Sequence, residues 1–203
     1  MAKKTSNKIT PYYKGLGFDS EQEYWISLWL NELKDRGLIY SIDYQPEAFI
    51  LNNEISLPTV NAKGKPTKKV VLKKHVYTAD FKIECDSKLI SSLLALSNTV
   101  FKSEGNSVYI EVKADTIDCK LIDTTNMTRL FTSRTQPWVY DKFGIYVNLL
   151  TPFSLFRDTF VPKKVLDYYY YKKSLVTNKK VAKKGDCKVE YELLTINEFL
   201  EKL

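Results

Sequence analysis

The residues best suited to carry chemistry lie in two short segments, Tyr77–Phe81 and Tyr109–Lys113. Both segments are predicted to be strands, so their side chains alternate between two faces. Glu111 and Lys113 therefore share one face. Such a carboxylate and ammonium supply an oxygen ligand for Mg²⁺ and a cation beside an attacking water. Together with Asp80, this pair predicts metal-dependent cleavage of phosphodiester bonds.

A helix predicted over about residues 20–36 would carry a third acid. Ser20 is a favourable N-cap, and Glu23 follows three residues later, which is the spacing of a capping box. Gly37 is a natural end for this helix. Apolar residues recur along it at helical spacing, namely Tyr24, Trp25, Leu28, Trp29 and Leu33. Glu23 is either a metal ligand or only the capping acid, and Glu21 is its rival as a ligand.

The remaining pattern predicts a mixture of strands and helices around one sheet. Alternating and β-branched stretches predict strands near 38–44, 47–52, 70–84, 108–113 and 143–149. Apolar spacing predicts helices at 88–98, 123–134, 163–173 and 196–203. Pro137 is expected to end the helix before it. This order of elements predicts an α/β or α+β domain with a central mixed β-sheet flanked by helices.

Charge is distributed unevenly along the chain. The 203 residues are 44% hydrophobic, which is enough to bury the core of one domain, and the net charge is +7. Residues 62–75 and 172–188 each carry a net charge of +6, which leaves −5 for the rest. A mildly acidic body with two lysine-rich segments predicts a polyanionic partner. Solvated loops that only keep the protein soluble are the alternative.

Cysteine content and hydropathy limit the class of protein. The three cysteines are far apart and form no CxxC pair, so neither a disulfide framework nor a zinc site is favoured. No apolar run approaches the roughly 20 residues of a membrane helix. No apolar segment of a signal peptide follows the basic N-terminus. We therefore expect a cytoplasmic protein with no membrane partner.

Four ordered segments resemble the PD-(D/E)xK nuclease superfamily, and especially its small phage-encoded members. These segments are Ser20–Tyr24, Tyr44–Glu47, Tyr77–Phe81 and Ile110–Lys113. The likeness covers about residues 18–150. It departs from the family pattern at Ala79, where proline is usual, at Ala114, where glycine is frequent, and at an insertion over 86–106. None of these changes removes a reacting group.

The resemblance implies a restriction-endonuclease-like core over residues 18–165. A flexible basic arm, 1–17, would precede this core, and a Tyr/Lys-rich extension, 166–203, would follow it. The core would also carry a lysine-rich arm at 54–75 and the insertion at 86–106.

The resemblance also implies roles for individual residues. Asp80, Glu111 and the main-chain carbonyl of Val112 would bind Mg²⁺ or Mn²⁺, and Glu23 would complete the site. Lys113 would orient the attacking water or stabilise the developing negative charge. Cleavage would leave a 5′-phosphate and a 3′-hydroxyl. An exposed cross-strand charge pair is the alternative for Glu111 and Lys113.

The partner implied by this likeness is DNA. Holliday-junction resolvase of phage type is the most specific interpretation, with branched or structured DNA as substrate, and a homodimer would cut two strands symmetrically. The residues expected to contact DNA are Lys68, Lys69, Lys73, Lys74, Arg129, Arg134, Lys179, Lys180, Lys183 and Lys184. A restriction, transposase or repair nuclease is one alternative. A non-catalytic DNA-binding or virion-associated protein with the same fold is another.

Overall fold

The computed structural model describes residues 12–95, 102–113, 126–165 and 194–202. The strands are β1 (Ile39–Tyr44), β2 (Ala48–Asn52), β3 (Ile55–Val60), β4 (Pro66–Leu72), β5 (His75–Thr78), β6 (Phe81–Cys85), β7 (Ser107–Val112) and β8 (Val147–Leu150). The helices are α1 (Tyr12–Gly15), α2 (Glu21–Asp35), α3 (Ser87–Ala95), α4 (Asn126–Leu130), α5 (Gln136–Phe143), α6 (Pro152–Asp158) and α7 (Ile196–Glu201). A π-helical turn, Phe131–Thr135, joins α4 to α5.

A four-stranded mixed sheet forms the centre, in the order β1-β6-β7-β8. The first two pairings are antiparallel, and β7 and β8 run parallel. Two further ladders, β2 with β5 and β3 with β4, are antiparallel pairs outside this sheet. The prediction of a mixed α/β class with a mixed sheet and helices is confirmed.

Helix α2 covers one face of the sheet, close to the predicted limits. Its N-terminus is capped because the Ser20 hydroxyl accepts a hydrogen bond from the main-chain N–H of Glu23, at 3.1 Å. It ends at Gly37, whose positive φ of 71° lets the chain turn away. Its apolar side buries Trp29 and Leu33 completely. These side chains join one core cluster with the facing sheet residues Phe81, Ile83, Val108, Ile110 and Val112.

The helix from α4 to α5 belongs to the second layer of the core. Phe131 and Val139 are buried there in one cluster with Tyr109 of β7 and Val147 of β8. The ladder of β2 and β5 adds Phe49 and Leu51 to the same cluster. Side chains that alternate along β7 thus enter two different cores, as strand geometry requires.

Pro137 does not end the helix, contrary to the sequence prediction. The helical backbone continues from Asn126 to Phe143, and Pro137 stands at the start of α5. The preceding π-helical turn is wider, and the main-chain N–H of Gln136 donates to the carbonyl of Phe131, five residues back. Proline is tolerated in the first turn of a helical segment, where its missing N–H costs little. The local change of helix type thus accommodates the ring.

The single strand predicted over 70–84 is also wrong, because the chain forms three strands there. Strand β4 pairs with β3, β5 pairs with β2, and β6 pairs with β1 and β7. The chain changes partner at Lys73–Lys74 and again at Ala79–Asp80. Residues typical of strands occur on both sides of each change, so the sequence pattern did not reveal the breaks.

The segment predicted as a loop or hairpin arm is a hairpin of β3 and β4. Its turn is fixed by Asn61, whose side-chain oxygen accepts hydrogen bonds from the main-chain N–H groups of Lys63 and Lys65, at 2.9 and 3.0 Å. Every residue of β4 is exposed.

Several sequence predictions lie outside the described residues. They include most of the basic arm at 1–17, the tyrosine run at 168–171 and the lysine cluster at 172–188. Among the helices that the structure describes, none has the length and apolar character to cross a membrane.

The contrast between core and hairpin predicts a difference in stability. Ile83 is 1% exposed and Ile55 is 51% exposed. We expect Ile83→Ala to lower the free energy of unfolding by about 2–5 kcal/mol, because it leaves a cavity. Ile55→Ala should change it by less than about 0.5 kcal/mol. Urea denaturation of both variants measures the difference, and equal losses would contradict the assignment of the core.

Candidate active site

Asp80 lies where three strands of the central sheet end together. Phe81 is paired on both sides, with β1 and with β7, so the preceding Asp80 stands between Gln45 and Glu111. Its main-chain carbonyl accepts the N–H of Gln45 at 2.9 Å. Its carboxylate oxygen Oδ2 accepts the main-chain N–H of Val112 at 2.6 Å. The Asp80 side chain thereby takes the place of a main-chain partner at the end of the β6–β7 ladder.

Glu111 and Lys113 lie on the face opposite α2, as alternation predicted. The Lys113 ammonium is paired with Oε1 of Glu111. The hydroxyl of Tyr77 donates a hydrogen bond to Oε2 of Glu111 at 2.7 Å. Lys113 Nζ also lies 5.9 Å from the centre of the Phe131 ring. Both oxygens of Glu111 are therefore held by neighbouring side chains.

Glu23 both caps α2 and lies within the same electrostatic cluster. The Ser20 hydroxyl donates to its Oε1 at 2.7 Å. The Tyr44 hydroxyl donates to its Oε2 at 2.6 Å, and the main-chain N–H of Asp19 donates there at 3.2 Å. The capping role of Glu23 is thus present, and its charge also acts on Asp80.

Burial distinguishes two of these acids. Among the described residues, Glu23 and Glu111 are the only buried side chains with a formal charge, at 7% and 6% exposure. An ionised carboxylate out of water is costly unless it is paired and hydrogen-bonded. Here a tyrosine hydroxyl donates a hydrogen bond to each of the two carboxylates. Two costly groups at one end of the sheet are typical of a functional site rather than of a fold requirement.

The protonation of Asp80 reflects this crowding of acids. Burial raises the pKa of Asp80 to about 7, and the negative charges of Glu111 and Glu23 act in the same direction. The Val112 N–H and the Lys113 ammonium oppose the rise. Burial also raises the pKa of Tyr77, together with the charge of Glu111. The Tyr77 hydroxyl therefore remains a proton donor at ordinary pH.

The fold brings the four predicted site residues into one region, but their side chains are not arranged as a metal-binding group. In the described part of the chain, no three His, Cys, Asp or Glu side chains group closely enough to hold a metal ion. The donor set nevertheless fits a hard cation, since it consists of carboxylate and carbonyl oxygens. Oδ1 of Asp80 has no hydrogen-bond partner among the described residues. Lys113 is the counter-ion of Glu111 in this arrangement.

The sequence did not reveal the roles of Tyr44 and Tyr77. Both lie within the segments that carry the family resemblance, yet nothing local shows that their hydroxyls reach carboxylates. Tyr77 belongs to β5, which is outside the central sheet, and it contacts a residue 34 positions away. Only the packing of the β2–β5 ladder on the sheet makes this contact.

Gln45 borders this cluster. Its side chain donates to Asp19 Oδ2 at 2.8 Å and to the Tyr44 hydroxyl at 3.3 Å, so it supports the residues around Glu23. The predicted DNA contacts within the described residues are all exposed, namely Lys68, Lys69, Lys73, Lys74, Arg129 and Arg134. His75 is exposed. The lysines at 179, 180, 183 and 184 fall outside the described residues.

Comparison of the chain with protein-family models, curated proteins and solved structures gives no match.

The raised pKa of Asp80 predicts a pH-dependent cost to stability. Without divalent cations, the folded protein holds a proton on Asp80 that the unfolded chain loses near pH 3.8, its ordinary pKa. The free energy of unfolding should therefore fall as pH rises from about 4 to 7. Asp80→Asn removes this loss and should stabilise the protein by on the order of 2 kcal/mol above pH 7. The gain should vanish near pH 4.

Asp43→Asn, at an exposed position on β1, is the matched control. It should change the free energy of unfolding by less than about 0.5 kcal/mol at either pH. Urea denaturation at pH 4 and pH 8 compares the three proteins. A stabilisation by Asp80→Asn that is equal at both pH values would show that Asp80 is not a crowded, buried acid.

Proposed function

We propose that this protein is a Mg²⁺-dependent DNA endonuclease, with Mn²⁺ as an alternative ion and branched or structured DNA as its substrate. One observation carries the proposal. The only two buried charged side chains of the described residues are Glu23 and Glu111, and both were expected at the site from the sequence. Their negative charges help to raise the pKa of Asp80. The Asp80 carboxylate in turn accepts a hydrogen bond from the main-chain N–H of Val112, the residue before Lys113.

The fold class also supports the proposal. A restriction-endonuclease-like core implies a central mixed sheet flanked by helices. Strands β1, β6 and β7 are antiparallel neighbours, and β8 is parallel to β7. The acids lie at the end of the two central strands, between α2 and the helix from α4 to α5.

The chain offers a set of oxygen donors for the metal ion. Asp80, Glu111 and the carbonyl of Val112 would hold it, and Glu23 would complete the site. A bound divalent cation lowers the pKa of a water and offsets negative charge on the phosphate. Mutual repulsion among the acids favours such a cation. Tyr77 and Tyr44 would keep the glutamates in place through their hydroxyl groups.

Lys113 is the residue expected to act on the reacting atoms. Its side chain is 22% exposed, and its ammonium is held beside Glu111 and near the Phe131 ring. From there it would orient the attacking water or stabilise the charge that develops on the phosphate oxygens. No covalent intermediate with the protein is required.

Lys113→Ala tests this role. We expect cleavage to slow by about 10²–10³-fold, the usual effect of removing one charge-stabilising donor. Binding of DNA in EDTA should be preserved. Lys82→Ala is the control, since Lys82 is similarly half-buried, at 24% exposure, and pairs with Glu47 outside the acid cluster. Single-turnover cleavage rates compare the variants, and undiminished cleavage by Lys113→Ala would overturn the mechanism.

Tyr77→Phe tests whether a hydroxyl holds the metal-binding glutamate. We expect Mn²⁺ affinity, measured by titration calorimetry, to fall about 10-fold, because the Glu111 carboxylate loses one anchor. Tyr109→Phe is a matched control, since the Tyr109 hydroxyl donates to Glu47 instead. Equal Mn²⁺ affinities in the two variants would argue against Glu111 as a ligand.

The choice of DNA is tested with three substrates: a four-way junction, a linear duplex and a single strand. Each is incubated with the full chain in Mg²⁺, in Mn²⁺ and in EDTA. Paired symmetric nicks on the junction alone would support a dimeric resolvase. Cleavage of every substrate would indicate a nuclease of broader specificity. Binding without cleavage in either metal ion would replace the proposal with a non-catalytic DNA-binding protein.

A further inference from the structure

The hairpin of β3 and β4 continues a ladder that begins at the candidate site. The β2–β5 ladder pairs Ala48–Asn52 with His75–Thr78, and the β3–β4 ladder then pairs Ile55–Val60 with Pro66–Leu72. At the joint, the Asn52 side chain donates hydrogen bonds to the carbonyls of Lys73 and Asn53, each at 2.8 Å. We call residues 55–72 the ribbon arm. The β2–β5 ladder separates the arm from the candidate site, and the last residue of that ladder, Thr78, lies two residues before Asp80.

The ribbon arm is exposed along almost its whole length in the described structure. All of its strand residues are exposed except Ser56, which is half-exposed. Its apolar side chains are between 43% and 65% exposed, namely Ile55, Leu57, Val60, Val70, Val71 and Leu72. A two-stranded hairpin alone is marginally stable in water, and exposed strand edges favour association. The arm therefore has the features of a surface that meets a partner.

Charge selects the class of partner. Six lysines and no acid occur between Ile55 and Ala79, namely Lys63, Lys65, Lys68, Lys69, Lys73 and Lys74. Four of these lysines lie within the ribbon arm itself. Two arms from two copies of the chain would therefore bring four positive charges against four, which disfavours pairing. A polyanion meets the same charges favourably and releases its counterions.

The distribution of lysines on the ribbon indicates the shape of that polyanion. Leu57 pairs with Lys69, and the next pair is Pro58 with Lys68. Because successive residues of a strand face opposite sides, Lys68 and Lys69 project from opposite faces of the ribbon. A flat anionic surface would meet only one of these faces. A groove with phosphates along both walls meets both.

The dimensions of duplex DNA fit the ribbon arm. The major groove is about 12 Å wide and admits a two-stranded ribbon. At about 3.3 Å per residue, the stretch from Thr78 to Pro66 spans at most roughly 40 Å. One helical turn of the duplex is about 34 Å long. The β2–β5 ladder and the ribbon arm together are therefore long enough to reach about one turn along the DNA from the candidate site.

We propose that the ribbon arm docks in a groove of duplex DNA about one helical turn from the phosphate at the candidate site. Lys68 and Lys69 contact phosphates on opposite walls, and the exposed apolar side chains contact the groove between them. This inference rests on the proposed function, because it takes the DNA bound at the acid cluster as its reference point.

The double substitution Lys68→Glu with Lys69→Glu tests the inference. The control is Lys34→Glu with Lys88→Glu, which changes the net charge equally at two exposed lysines on α2 and α3. Affinity for a linear duplex and for a single strand is measured in EDTA over a range of salt concentrations. We expect the arm variant to bind duplex more weakly than the control. Its slope of log affinity against log salt should be smaller by about two, for two lost phosphate contacts.

Hydroxyl-radical footprinting of the bound duplex locates the arm. The arm variant should lose protection about one helical turn from the position that the unsubstituted protein protects at the site. The control variant should keep both regions of protection.

The possible outcomes separate the two proposals. If the arm variant and the control bind duplex equally, the inference is overturned while the nuclease proposal stands. If the arm variant loses affinity for single strands as much as for duplex, docking in a groove is overturned. If the unsubstituted protein binds none of the DNA forms, both the inference and the proposed function fail.

Discussion

The hydrogen bond from the main-chain N–H of Val112 to the Asp80 carboxylate is the contact on which the candidate site depends. The chain arrives at Asp80 from the β2–β5 ladder and leaves it as β6, the second strand of the central sheet. At this transition the Asp80 carbonyl also accepts the N–H of Gln45. One residue thus ties together the ends of three strands. The same hydrogen bond holds an acid in a buried position that raises its pKa.

The burial of three acids at this junction is electrostatically unfavourable, and their hydrogen bonds and the ion pair with Lys113 offset only part of this cost. Glu111 is stabilised by Lys113 and Tyr77, and Glu23 by Ser20 and Tyr44. Among the described residues, the Asp80 carboxylate accepts one hydrogen bond, and the negative charges of both glutamates act on it. A hard cation among these oxygens would relieve the repulsion.

The candidate site and the ribbon arm carry charges of opposite sign. The acid cluster is negative and favours a cation, whereas the arm is positive and favours a polyanion. A phosphodiester substrate with a divalent metal ion satisfies both at once. The β2–β5 ladder connects the two regions physically, since Tyr77 contacts Glu111 at one end and the arm begins at the other.

Local patterns in the sequence determined the capped helix at Glu21–Asp35 and the shared face of Glu111 and Lys113, because capping and alternation depend only on near neighbours. Only the tertiary structure decided that the stretch at 70–84 divides among three ladders and that a π-helical turn carries the helix past Pro137. The same holds for the tyrosine hydroxyls on Glu23 and Glu111. The two tyrosine contacts join residues that are 21 and 34 positions apart in the sequence, and the strands change partner without a break in composition. Neither kind of feature leaves a periodic signal in the chain.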